Sequence, residues 1–348
     1  MKTKSEPVRQ HKSRFALLLL GLLVSMSNIE LTAHAQNTSS TPNKAQSQHV
    51  QSNKRVRALV AQTAKAYTEK NYGEVIRTAS EGLKLEPKQA ALLAYRAASY
   101  LELRMRDEAL ADYTTLIEVS PNASAYYKRS TIYDFRDEAR KALSDLEASV
   151  KLLPSARLEL KIAYTHKDLN EPDAAIAACK KALTMLKHED ADIRIYIEAE
   201  CYEVITICYL RKNSPKQALE SINKAVAISD KWPEKNAWNV KVRRANIIFH
   251  RGEAYEKLGN LKNAIADYET AKKAVPKNFG FRRSLLKAYR NTNLNEKALA
   301  LVTEMLREDD SPDLYYKRAE IYEKLGKVEL AKVDRARAKK TESTFMGN

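Results

Sequence analysis

The chain has 348 residues, 44% apolar and 30% charged, with a formal net charge of +16. That balance excludes a disordered or membrane-embedded body, and the length allows one to three domains. With only 8 Gly and 10 Pro beside runs of Ala, Leu, Lys and Glu, it favours long helices over sheets and their turns.

The first element is a leader. Lys2, Lys4, Arg9, Lys12 and Arg14 precede the apolar run Phe15 to Val24, "FALLLLGLLV", and Ala33-His34-Ala35 follows. A basic start, a short apolar middle and a small-residue A-x-A site form a secretory signal. The run is about half of the roughly 20 apolar residues that a spanning helix needs. Residues 1–35 are therefore expected to be removed after Ala35, with an uncleaved anchor as the alternative. No later stretch is apolar and long enough for a membrane span, so the remainder is expected to be exported, periplasmic or secreted. Five basic and two acidic residues fall in the leader, which leaves the rest at +13. Residues 36–54, polar and without periodicity, read as a flexible linker.

From residue 55 to 340 one pattern repeats. A small residue beside an apolar one recurs at Val75-Ile76, Ala109-Leu110, Ala142-Leu143, Ala175-Ile176, Ala218-Leu219, Ala264-Ile265, Ala298-Leu299 and Leu330-Ala331. The steps are 34, 33, 33, 43, 46, 34 and 33 residues. Ahead of the landmark, a first amphipathic stretch carries Tyr100, Tyr133, Tyr209, Tyr255, Tyr289 or Tyr322. A break follows, as at Gly259, Asn293 and Gly326, and the second stretch ends near Pro87, Pro121, Pro154 or Pro276. Apolar positions at three- and four-residue steps make both stretches helices, and the prolines stop the second. The short breaks fold each pair antiparallel. Residues 341–348 read as a C-terminal tail.

The two long steps place extra residues before units five and six, as helix extensions of about two turns with a turn at "SDKWPEKN". Trp232 and Trp238, with Tyr196 and Tyr202 nearby, gather there. Tryptophan is enriched at binding hot spots, so these four form a candidate partner-binding ledge, the other reading being that they pack the longer helices together. Cys179, Cys201 and Cys208 lie in units four and five. Either Cys179 bridges to one of the other two across neighbouring helices, or all three are small buried apolar residues. In unit seven, Arg283, Lys287 and Arg290 share one helix face, a candidate anion-binding stripe. Glu253 and Glu256 in unit six and Glu320 and Glu323 in unit eight stand at matching places, so the competing reading is a charge ladder between repeats.

A period near 34 with a small residue, a tyrosine, Ala and a terminal Pro resembles the tetratricopeptide repeat. "GEAYEKLGNLKNAIADYETAKKAVP" is close to its consensus, whereas unit four departs most, with His166 at the tyrosine position and Pro172 early in its second helix. The resemblance implies an all-α, right-handed superhelical solenoid of about eight antiparallel helix pairs. Its first helices would line a groove that holds a peptide or partner helix. No phosphate loop, H-E-x-x-H, paired C-x-x-C or G-x-S-x-G occurs, so no catalytic residue, metal site or cofactor is expected and the chain reads as no enzyme. The expected partner is a protein or peptide of unknown identity. Nucleic acid is not expected for an exported chain, and the alternative partner for its positive charge is an anionic envelope polymer.

Overall fold

The computed structural model describes residues 44–232 and 237–346; the leader and its cleavage site lie outside the described residues. Sixteen α-helices and no strand occupy the described part. They come in eight successive pairs: α1 (Lys44–Thr68) and α2 (Tyr72–Leu85), α3 (Ala90–Glu102) and α4 (Arg106–Val119), α5 (Ala123–Phe135) and α6 (Ala139–Leu152), α7 (Ala156–Asp168) and α8 (Pro172–Met185). Then follow α9 (Ala191–Arg211) and α10 (Pro215–Ser229), α11 (Ala237–Lys257) and α12 (Leu261–Ala274), α13 (Phe279–Asn291) and α14 (Asn295–Leu306), α15 (Pro312–Lys324) and α16 (Val328–Met346). The all-helical, paired architecture is the one expected. α9 and α11, at 21 residues each, are the extended helices. α1 begins at Lys44, inside the segment read as a linker, because residues 44–54, with three Gln, two Lys and one Ala, include adequate helix formers and neither Gly nor Pro. α16 likewise runs on through residues 341–346 of the expected tail.

One backbone device makes all eight turns. Lys70, Arg104, Asp137, Asn170, Asn213, Gly259, Asn293 and Gly326 hold left-handed φ values between 53° and 76°, each five residues before its landmark. The next residue then donates its N–H to the carbonyl five residues back: Met105 to Tyr100 at 2.8 Å, Glu138 to Tyr133 at 2.9 Å, Lys327 to Tyr322 at 2.8 Å. This is the Schellman closure of a helix end. Only two of the eight turns use glycine, which is why the sequence showed the break clearly in some units and not in others. Helix starts are equally regular. Asn71, Gln89, Asn122, Ser155, Asn260 and Asn278 cap with their side chains. Pro172 lies in the opening turn of α8, where its missing N–H costs nothing.

A second device fastens helix to helix. In four pairs an arginine of the first helix grips an aspartate of the second through two parallel hydrogen bonds. Arg96 holds Asp112 at 2.7 and 2.7 Å, and Arg129 holds Asp145 at 2.8 and 2.8 Å. Arg251 holds Asp267 at 2.8 and 2.7 Å, and Arg318 holds Asp334 at 2.7 and 2.7 Å. The aspartates are buried. Three of the arginines also lie against the recurring tyrosines, with Arg96 6.0 Å from the Tyr100 ring centre, Arg129 5.8 Å from that of Tyr133 and Arg318 5.8 Å from that of Tyr322. At the same two places other units carry apolar or small residues, Ile162 with Ala178, Ile205 with Ser221, and Leu285 with Leu301, all buried.

The chain divides into two compact units. The first, up to Pro154, holds α1 to α6 around a core that includes Leu92, Ala97, Tyr113 and Ile132. The second, from Ser155, holds α7 to α16. Its core includes Ile222, Trp232 and Ile247 in one cluster, and Tyr268, Leu286, Met305 and Ile321 in another. Each helix pair packs on the next within its unit, so that no pair has to bury its apolar face alone.

Candidate functional site

In the second unit α9 touches both α7 and α11, so three first helices stand side by side. Polar side chains on them are tied across the helices. The Tyr164 hydroxyl donates to Glu200 at 3.3 Å, and Arg243 pairs with the same carboxylate. His250 sits between two acids, Nδ1 at 2.7 Å from Glu253 and Nε2 at 3.5 Å from Glu203. Burial pushes the Glu203 carboxyl above the usual carboxylate range, against the pull of His250 and Lys167. The folded chain therefore keeps this proton to a higher pH than the unfolded chain does. The stability that follows is fully present below the ordinary carboxylate pKa and is lost as pH rises through the raised one. Glu203→Gln, uncharged throughout, is expected to flatten the decline in thermal midpoint as pH rises above the ordinary carboxylate range. An unchanged slope would place the dependence on other groups.

The aromatic residues divide. Trp232 is buried, 4% exposed, in the core between α9 and α11. Its indole N–H points at the Ile195 carbonyl at 3.4 Å, and its ring lies 4.9 Å from that of Tyr196. It therefore cannot project to a partner, which corrects the expectation of a ledge at this residue. The physical reason is that the helix extensions expose apolar surface that a large ring covers. Tyr196 and Tyr202 are half-buried, with Arg243 against the first ring and Lys224 against the second. Trp238 alone stands out, 62% exposed near the start of α11.

The basic stripe also divides. Lys287 pairs with Glu256 of the preceding repeat at 2.7 Å, and Arg290 pairs with Glu320 of the following one. These are rungs of a ladder between repeats. Glu253 and Glu323 do not join it, since His250 and Arg335 take them. Arg283 is exposed and has no partner among the described residues. Beside it opens a cavity of about 230 Å³, with Phe279, Leu286, Met305 and Leu314 as apolar walls and Arg283, Lys287, Arg290 and Lys317 among its lining.

Two features escaped the sequence reading. The Arg–Asp clasp had a visible signal, an arginine sixteen residues before an aspartate that stands three past the landmark. Arg282 had none. It occupies an apolar place of its repeat, 5% exposed, with Glu308 at 3.0 Å and two guanidinium nitrogens left unpaired. Cys179, Cys201 and Cys208 are all buried free thiols. Contact with Cys201, then burial, push the Cys179 thiol far up, so Cys179 is not poised as a nucleophile. Among the described residues no group of three His, Cys, Asp or Glu side chains is placed to hold a metal ion. No helix among them is long and apolar enough to cross a membrane.

Known proteins share this pattern. The family model for the Tetratricopeptide repeat matches residues 157–185, 245–278 and 312–334. DnaJ homolog subfamily C member 3 of Gallus gallus is 26% identical over 267 residues, 73% of this chain and 50% of that protein. Hsp70-Hsp90 organizing protein of Triticum aestivum is 29% identical over 90 residues, 26% of this chain and 16% of that protein. Sperm-associated antigen 1 of Homo sapiens is 30% identical over 117 residues, 32% of this chain and 13% of that protein. The chain thus spans half or less of the length of these relatives. Among solved structures the apo form of RapI superposes with a TM-score of 0.51 at 13% identity, covering 84% of this chain and 99% of that one. That likeness is one of fold. Tetratricopeptide repeats are thus found in three of the eight helix pairs, α7 with α8, α11 with α12 and α15 with α16, and the other five pairs share their turn device.

Proposed function

We propose that the chain is an exported protein-interaction scaffold that holds a peptide or a partner helix against the face built by its first helices. The observation that carries this reading is the side-by-side placement of α7, α9 and α11, which sets polar and aromatic side chains of three repeats on neighbouring helices. Such a surface binds by shape and by placed hydrogen bonds. Relatives named for organizing Hsp70 and Hsp90, and for interacting with Hsc70, support a role in holding other proteins. The leader grammar of residues 1–35 supports export to a periplasmic or secreted location.

The test is capture of partners by the tagged full-length gene product, isolated from its own extracytoplasmic fraction and washed at low and then high salt. One protein that stays through the high-salt wash is expected, on bait whose own N-terminus begins at Gln36. The charge of +13 that remains beyond the leader favours a second reading, attachment to an anionic polymer. In that case anionic material would leave at the first salt step, because screening removes long-range attraction. Bait found only in the cytoplasm with Met1 intact would remove the export part.

A further inference from the structure

We propose that the cavity beside Arg283 receives an acidic peptide segment of a partner protein, with one bulky apolar side chain seated on its floor. The inference rests on the scaffold reading and names the kind of segment it would hold. The lining settles the chemistry. Its walls are the side chains of Phe279, Leu286, Met305 and Leu314, supplied by α13, α14 and α15. A cavity of roughly 150 Å³ with such walls accommodates a benzene ring, so about 230 Å³ takes one Phe or Leu side chain with room for its backbone. Met305 adds a wall that adjusts to either shape.

Charge then selects the neighbours of that side chain. Four cations line the opening, Arg283, Lys287, Arg290 and Lys317, and no carboxylate does. Three of them already have acids, Glu256 for Lys287, Glu320 for Arg290 and Asp313 for Lys317. Those bonds fix the rim in place. Arg283 keeps its whole guanidinium fork for an incoming carboxylate, which it can grip through two parallel bonds. From Arg283 to Arg290 the helix rises about 10 Å, the reach of about three residues of extended peptide. The matching segment therefore has its apolar residue within about three positions of two or more acidic ones.

The experiment measures binding of a fluorescent peptide, Asp-Glu-Phe-Glu-Asp-Gly, to the purified full chain by anisotropy. The comparison peptides have Ala for Phe, or Asn and Gln for the acids, and decanoate serves as a competitor. Saturable binding is expected, about ten-fold weaker for either altered peptide and about ten-fold weaker for Arg283→Gln with the parent peptide. Arg283 is exposed and unpartnered, so its substitution should leave the circular dichroism spectrum and thermal midpoint unchanged. Equal binding of the Ala peptide would reduce the site to surface charge and overturn the proposal. Undiminished binding by Arg283→Gln, or displacement of the peptide by decanoate with an affinity above its own, would overturn it as well. If no peptide binds while Arg283→Gln still captures the partner found by pull-down, the inference fails and the scaffold reading stands. If no partner is captured by either protein, it is the scaffold reading that fails.

Discussion

Asp267→Ala is expected to destabilise the second unit by about 3 kcal/mol, read as a lower urea midpoint for its unfolding. Asp267 accepts both bonds from Arg251, and its side chain is 9% exposed against 26% for the arginine. Removing the carboxylate leaves a guanidinium that α11 holds mostly out of water, with nothing to neutralise it. Loss of one partner from a fully buried pair costs about 3–5 kcal/mol. The remaining exposure of Arg251 puts the effect at the low end. The companion experiment removes both charges. Arg251→Leu with Asp267→Leu copies the Leu285 and Leu301 arrangement of unit seven, and is expected within about 1 kcal/mol of the parent or above it. A double variant as unstable as the single one would show that the clasp itself holds the pair together. A harmless Asp267→Ala would show that water reaches Arg251 more freely than its position implies.

Tyr268→Ala is expected to cost about 3–5 kcal/mol, the range for deleting a buried aromatic ring. Tyr268 is fully buried and is among the largest side chains with no exposure. Its hydroxyl donates to Glu256 at 2.7 Å, and Glu256 also holds Lys287, so the ring anchors a contact between two repeats. Burial, with the Glu256 bond adding to it, raises the phenol pKa well beyond its ordinary value, so the ring stays neutral. The space for the ring comes from Gly252. A methyl group there would lie 2.6 Å from Tyr268 Cε1 and 3.3 Å from the Ala264 carbonyl oxygen. Gly252→Leu is therefore expected to be destabilising too, by about 1–3 kcal/mol or more. Unit three makes the exchange that should rescue it, with Ser130 and Leu146 at the corresponding places, while unit two keeps Tyr113 beside Ala97. Gly252→Ala combined with Tyr268→Leu should come within about 1.5 kcal/mol of the parent, because total volume is nearly kept. Thermal midpoints of Gly252→Ala, Tyr268→Leu and the combined variant decide it. A combined loss equal to the sum of the separate ones would mean that the two positions do not share one space.

The architecture was legible from residue types at fixed spacing. A small residue recurring every 33 or 34 positions, tyrosines nine before it and prolines past the second stretch describe local events: helix, turn, helix, stop. Such events depend on the chain's own backbone preferences and on apolar positions three and four apart, both of which the residue order states directly. The left-handed turn was harder to see. Glycine and asparagine announce it, but Lys70 and Arg104 adopt the same φ because the helices on either side require it. The longer α9 and α11 were also visible, as surplus residues between landmarks.

The candidate site was legible only in part, and for one reason. Whether a side chain is spent inside the fold or left for a partner depends on residues far away in the chain. Nothing local to Trp232 says that α9 will cover it, whereas Trp238, six residues on, remains exposed. Arg283, Lys287 and Arg290 look alike in the sequence. Only when neighbouring repeats stack do Glu256 and Glu320 arrive opposite two of them and leave the third open beside a cavity. By itself, then, the sequence determined the helices, their pairing and the repeat, because short-range geometry and apolar spacing suffice for these. The tertiary structure decided which charges are neutralised, which rings are buried and where a pocket opens, because burial and ion pairing are properties of what packs alongside.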